Sequence, residues 1–109
     1  MVRRDWYCED VLSGRVQVHR IWEDDLVLAF HHPEPQSETH AVVIPKKHIS
    51  SILDAAATDG SLLSSMVTAV QEIALKLGLD RTGFYVRVNA ASEGVAPHMH
   101  WHILGPGIP

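Results

Sequence analysis

The run Pro97-His98-Met99-His100-Trp101-His102-Ile103-Leu104-Gly105 alternates imidazole with apolar side chains, and an extended strand is the conformation that turns such alternation into two faces. Successive side chains on a strand point to opposite sides and rise about 3.3 Å per residue, so three imidazoles line one face roughly 6–7 Å apart. Met99, Trp101 and Ile103 line the other and suit a core. A fold that accepts this segment needs a sheet with one buried face and one chemically active face. Histidine titrates near neutral pH and serves as acid, base, nucleophile and metal ligand, so the chemistry is expected here. An expression tag would be contiguous and would not interleave Met and Trp.

The rest of the chain supplies partners for that strand. Residues 16–22 alternate, Glu23-Asp24-Asp25 reads as a turn, and residues 26–30 form a short apolar run, together a hairpin pattern. A loop over residues 31–38, broken by Pro33 and Pro35, leads to a third strand over 39–44 that is rich in β-branched residues and stops at Pro45. From Ser61 the spacing changes to threes and fours, with Leu62, Leu63, Met66, Val67, Val70, Ile73, Ala74 and Leu77, and Gly78 follows as a stop. That predicts one long helix. A shorter helix is expected from about Tyr7 to Leu12, and residues 83–89 alternate again as a fourth strand. One long helix between the third and fourth strands predicts an α+β class with an antiparallel sheet, since parallel sheets need repeated crossovers.

A length of 109 residues predicts one domain over 1–109. No apolar run approaches the 18 or so residues of a membrane helix, so no membrane partner is expected. The first residues lack the apolar core of a signal peptide, and the single cysteine, Cys8, forms no intrachain disulfide; both agree with a cytoplasmic setting. A net charge of -4 argues against a nucleic-acid binder, which needs a basic face. It does not exclude a small phosphorylated ligand held by a few local donors.

Several segments fall together in a telling order: Glu23-Asp24-Asp25, Leu28-Ala29-Phe30-His31, Pro35-Gln36, Thr39-His40, Val43-Ile44-Pro45-Lys46-Lys47-His48-Ile49, Val88-Asn89 and the terminal His-x-His-x-His. With them the chain resembles the histidine triad (HIT) superfamily of nucleotide hydrolases and transferases, in particular its histidine triad nucleotide-binding branch. The resemblance implies a five-stranded antiparallel sheet with one long and one short helix, and a homodimer whose sheets join across a two-fold axis. It implies attack on the α-phosphorus of a purine nucleotide conjugate, a phosphoramidate or a dinucleoside polyphosphate, through a nucleotidyl-histidine and without a required cofactor. By the same resemblance His100 is the nucleophile, the carbonyl of His98 holds its tautomer, His102 donates to a phosphate oxygen, and His40 stands beside the nucleophile. Val16, Phe30, His31 and Val42 would flank base and ribose, and Asn89 would approach the phosphate or sugar.

Departures from the family pattern bear on the substrate. Many relatives carry Asp after the Phe-His pair to accept from ribose hydroxyls; this chain has His32, and a neutral imidazole offers one acceptor where a carboxylate takes two donors. The polar Gly-Gln-Ser or Gly-Gln-Thr that often precedes the triad is replaced by Ser92-Glu93-Gly94-Val95-Ala96-Pro97, where Gly94 lets backbone N–H groups approach a phosphate. Some bacterial relatives bind structural zinc through paired cysteines. Here Asp5, Cys8, His48 and His98 are the corresponding donors, and Asp, Cys and two His suffice for a tetrahedral site. Two other classes of function stay open on the sequence: a zinc hydrolase ligated by His98, His100 and His102, and a dimeric nucleotide-binding regulator with little catalysis.

Overall fold

The computed structural model of the chain describes residues 4–90 and 94–108. Residues 1–3, 91–93 and 109 lie outside the described residues, Ser92 and Glu93 among them. Five strands, β1 (Arg20–Glu23), β2 (Val27–His31), β3 (Thr39–Pro45), β4 (Tyr85–Val88) and β5 (Trp101–Gly105), form one sheet in the order β1-β2-β3-β5-β4. Every neighbouring pair is antiparallel, as the helix placement predicts. Two helices, α1 (Gly60–Leu77) and α2 (Leu79–Thr82), connect β3 to β4, and a π-helical turn occupies Tyr7–Leu12. Among the described residues no helix is long and apolar enough to cross a membrane.

Local chemistry sets these boundaries. The Asp59 carboxylate accepts the Leu62 N–H at 2.9 Å and caps α1, which ends at Gly78 in the left-handed region at φ 74°, a conformation costly for a residue with a Cβ. Asp24 closes the first hairpin by accepting the N–H groups of Leu26 and Val27 at 2.8 and 2.9 Å. The first strand is shorter than its alternation predicts. The N–H of Val16 bonds the carbonyl of Asp10 across the preceding turn, and an irregularity between Arg20 and Trp22 shifts the register, so the regular strand starts at Arg20 and only the His19 carbonyl, accepting the His31 N–H, extends the pairing.

The sheet separates two cores. On one face Val27, Ala29, Ala41, Val43, Met99 and Ile103 pack against Leu62, Met66, Ala69 and Ile73 of α1. Each fully buried Val, Ile or Met side chain among them contributes about 1.5–3 kcal/mol relative to exposure. On the opposite face Leu28, Phe30, Val42 and Ile44 pack beneath Tyr7 and Val11 of the π-helical turn. That turn covers only part of its face, and the histidines lie beside it.

The expected row of three equivalent imidazoles is corrected here. β5 begins at Trp101, so His98 and His100 precede the ladder and His102 alone belongs to it. The N–H of Met99 bonds the carbonyl of Ile49 at 2.6 Å and that of His98 bonds Ala96 at 2.8 Å, which ends regular pairing before His100. Met99, Trp101 and Ile103 nonetheless face the α1 side, as the alternation predicts.

Candidate active site

Register brings distant residues into one row across the uncovered part of the sheet. Phe30 pairs with Val42, Val42 with His102, and His102 with Arg87. Cross-strand partners lie on one face with their Cβ atoms about 5 Å apart, so Arg87 stands beside His102 although fifteen positions separate them. Above this row opens a cavity of about 260 Å³ lined by Trp6, Tyr7, His32, Gln36, Arg87, Asn89, Gly94, Val95, Ala96, His100 and His102. Larger hollows of about 410 and 420 Å³ lie around Lys46 and Lys47 and along residues 16–20, away from His100 and His102. The imidazoles converge on the smaller one.

Hydrogen bonds fix the protons on these rings. Nδ1 of His100 lies 2.7 Å from the carbonyl oxygen of His98. A carbonyl only accepts, so Nδ1 carries the proton and Nε2 keeps its lone pair. The backbone N–H of Gln36 donates to Nδ1 of His40 at 3.1 Å, and Nε2 of His40 lies 2.8 Å from Nδ1 of His102. With both rings neutral, His40 donates to His102, and His102 is left with a proton on Nε2. One backbone amide thus sets the tautomer of two imidazoles.

Burial keeps these rings neutral. It pushes His102 down to about 3, with His100 and His40 adding to the effect, and it pushes His40 down to about 4, helped by His32 and the Arg87 guanidinium. His100 is lowered chiefly by burial, against its bond to His98. Tyr7 packs its ring 4.8 Å from that of His100, excluding water from one side. His32 stacks on His40 at 4.3 Å and is lowered by burial as well. Its Nδ1 accepts the Glu34 N–H at 2.9 Å, so the neutral ring presents a donor at Nε2 instead of the single acceptor expected from the sequence.

His98 turns away from this group. Its Nε2 donates to the carbonyl of Pro45 at 2.9 Å, and its Nδ1 points to Oδ2 of Asp5 at 3.1 Å and Sγ of Cys8 at 3.2 Å. Nδ1 of His48 completes the cluster, 2.8 Å from Oδ2 of Asp5 and 3.4 Å from Sγ of Cys8. With the proton on Nε2, a neutral His98 aims a lone pair at a carboxylate, an arrangement that calls for a cation or a second proton between them. The four donor atoms lie within 4.8 Å of one another. Zinc bonds of about 2.0–2.3 Å give tetrahedral edges of roughly 3.3–3.7 Å, so this donor set fits the metal with a small expansion. The Nε2 bond to a carbonyl is the outer support common for a metal-bound imidazole.

A zinc ion held by His98, His100 and His102 would require His98 to turn back, because its Nδ1 faces Asp5 and Cys8 and its Nε2 donates to the Pro45 carbonyl. His32, His40 and His102 also bring nitrogens together. Two of these nitrogens are taken by the His40–His102 bond, and Nδ1 of His32 and of His40 accept backbone N–H groups.

Of the residues expected at the nucleoside, His32, Asn89 and Gly94 line the cavity, the last at φ 83°. The other four are placed elsewhere. Phe30 and Val42 have no exposed surface and belong to the core under the cavity, because their strand positions face the π-helical turn. His31 points outward at the end of β2, and Val16 lines the separate hollow near residues 16–20. Trp6, Tyr7 and Arg87 also line the cavity, as does Gln36, which the sequence marked only as part of the Pro35-Gln36 segment. Arg87 was findable, since period-two alternation puts residues 85, 87 and 89 on one face; nothing local in the sequence links Tyr7 to His100.

One family's sequence model, described as HIT domain, matches residues 13–107. The chain belongs to the HIT family. Its fold agrees with a HIT family hydrolase from Legionella pneumophila Philadelphia 1, at a TM-score of 0.85 and 32% identity, covering 96% of this chain and 95% of that one. It is also similar to a histidine triad protein from Clostridium difficile, at a TM-score of 0.84 and 35% identity over 100% of this chain and 97% of the other. A purine nucleoside phosphoramidase of Escherichia coli strain K12 is 33% identical over 87 residues, 78% of this chain and 73% of the relative. These HIT relatives support a hydrolase role for the chain.

Proposed function

We propose that this HIT protein cleaves purine nucleotide conjugates at the α-phosphorus through a nucleotidyl-histidine on His100. The observation that carries the reading is the 2.7 Å bond from His100 Nδ1 to the His98 carbonyl, which leaves the Nε2 lone pair as nucleophile without any general base. Nε2 attacks the phosphorus as the bond to the leaving group breaks in line; a phosphate or nucleotide departs with the electron pair, and an amine takes up a proton from solvent as it departs. The positive charge that develops on the His100 ring is held by the His98 carbonyl. Nε2–H of His102 steadies the non-bridging oxygens, its direction set by His40 and Gln36. Water then attacks the same phosphorus, the electron pair returns to Nε2, the monophosphate leaves, and one proton passes to solvent.

The similarity to the Escherichia coli phosphoramidase supports a purine nucleotide as substrate. We assign Asp5, Cys8, His48 and His98 as holders of a structural zinc ion. Bound there, the ion would tie Asp5 and the π-helical turn at Cys8 to His98 and so fix the carbonyl facing His100. A homodimer is the proposed assembly. It is supported by the position of β4 at the sheet edge and by Val86, 42% exposed on the face that α1 covers chiefly over β1, β2 and β3. Incubation with adenosine and guanosine phosphoramidates and dinucleoside polyphosphates, followed by trapping of labelled protein, tests the reading. A label on His100 supports it; turnover that survives His100→Ala refutes it.

A further inference from the structure

Arg87 is the one fixed cation among the described lining residues of the cavity, and no carboxylate accompanies it there. Its Nη2 donates to Oε1 of Gln36 at 2.8 Å, while its Nε is buried without a hydrogen-bond partner among the described residues. A buried guanidinium N–H left unpaired is costly, and an oxyanion is the acceptor that best removes that cost. Gln36 holds both ends of the arrangement, with its side chain on Arg87 and its backbone N–H on His40. The cross-strand register places the cation beside His102, on the side of the cavity shared with Asn89.

Leaving groups differ in what they need. An amine displaced from phosphorus must take up a proton, whereas a phosphate or nucleotide departs as an oxyanion and needs positive charge nearby. A guanidinium supplies charge and hydrogen bonds but does not give up its proton near neutral pH. The neighbouring lining residues Val95 and Ala96 have no protic side chain, which leaves an amine only the neutral imidazole N–H groups of His32 and His102, both weak acids.

Building on the nucleotidyl-histidine reading above, we propose that Arg87 holds the β-phosphate of the leaving group and selects nucleoside polyphosphate conjugates over phosphoramidates. As His100 Nε2 bonds to the α-phosphorus, the bridging oxygen keeps the electron pair of the broken P–O bond. Arg87 neutralises that charge in place. In the second step water restores His100 and its released proton goes to the departed oxyanion or to solvent, so no further reactant is required.

The test compares kcat/KM for diadenosine tetraphosphate and adenosine 5′-phosphoramidate in the wild-type protein, Arg87→Gln and Arg87→Lys. Both substrates lose rate in the Gln variant, but the polyphosphate is expected to lose about 100-fold, at least about 10-fold more than the phosphoramidate. Arg87→Lys, which keeps the charge, should regain part of the lost selectivity. Equal losses on both substrates, or a wild type that favours the phosphoramidate, would overturn the assignment of Arg87 and leave the His100 reading intact. Failure of the wild type to cleave either substrate or to become labelled would overturn both. If Arg87→Gln does not fold, inhibition of the wild type decides: ADP should bind about 10-fold more tightly than AMP, and equal inhibition counts against the proposal.

Discussion

Nε2 of His40 sits 2.8 Å from Nδ1 of His102, and the backbone N–H of Gln36 sits 3.1 Å from the other nitrogen of His40. The pair transmits a proton position from a loop amide to an imidazole in the cavity. His40 itself is buried behind the cavity and absent from its lining, so it acts through His102.

Replacing His40 by Phe should therefore lower kcat more than it raises KM, by about 10–100-fold, because His102 loses the partner that orients its Nε2–H. His40→Gln, which keeps a donor, should retain more activity. A KM effect with kcat unchanged would show that His40 serves binding and not the orientation of His102.

The depressed histidines also set a pH dependence of stability. His40 and His102 stay neutral in the folded chain down to about 4 and about 3, whereas in the unfolded chain they take up protons below about 6.5. Their stabilising contribution is full above pH 6.5 and is lost progressively as the pH falls toward those folded values, by up to about 1.4 kcal/mol per pH unit for each group. The lowered carboxylates, Asp5 among them, act mainly below pH 4. A thermal melt between pH 7.5 and 4.5 should show a falling Tm, and His40→Gln should flatten the fall. A Tm independent of pH over that interval contradicts the assignment.

Close packing behind β5 makes a second stability prediction. A Cβ at Gly105 would come within 2.8 Å of Cδ2 of Leu79 and 3.0 Å of the Gly83 carbonyl oxygen. Gly105→Ala should destabilise by about 1–3 kcal/mol, read from denaturant midpoints. A midpoint unchanged from wild type would mean that α2 yields freely.

The strand alternation and the three-and-four spacing of α1 were legible in the sequence because each is a local pattern with one physical meaning. So was the separation of Met99, Trp101 and Ile103 from the imidazoles. The short β1 was not, because its limit is a bond from Val16 to Asp10 and a register shift. The departure of His98 from the row was equally hidden, since its partners Asp5 and Pro45 lie 93 and 53 positions away. Phe30 and Val42 illustrate a different limit: an apolar residue beneath a site and one lining it have the same sequence signature, and only burial separates them.

The Asp5, Cys8, His48 and His98 cluster predicts about one zinc ion per chain in protein purified without chelator. Without a cation, burial and the Asp5 carboxylate push the Cys8 thiol up to about 11, so metal binding there should release a proton. Cys8→Ser should lose the metal and lower Tm. Protein with no metal by elemental analysis, and a Tm indifferent to chelator, would leave a protonated His98 as the explanation of that contact.

The central claim is that His100 Nε2, freed by the bond from Nδ1 to the His98 carbonyl, forms a bond to phosphorus. Rapid acid-free quench of the protein with an α-phosphorus-labelled adenosine conjugate, followed by peptide mass analysis, measures it most directly. A nucleotidyl group on His100, absent in a folded His100→Ala variant that has lost turnover, is the predicted result. Turnover by the wild type with no adduct on His100, or an adduct on another histidine, would contradict it.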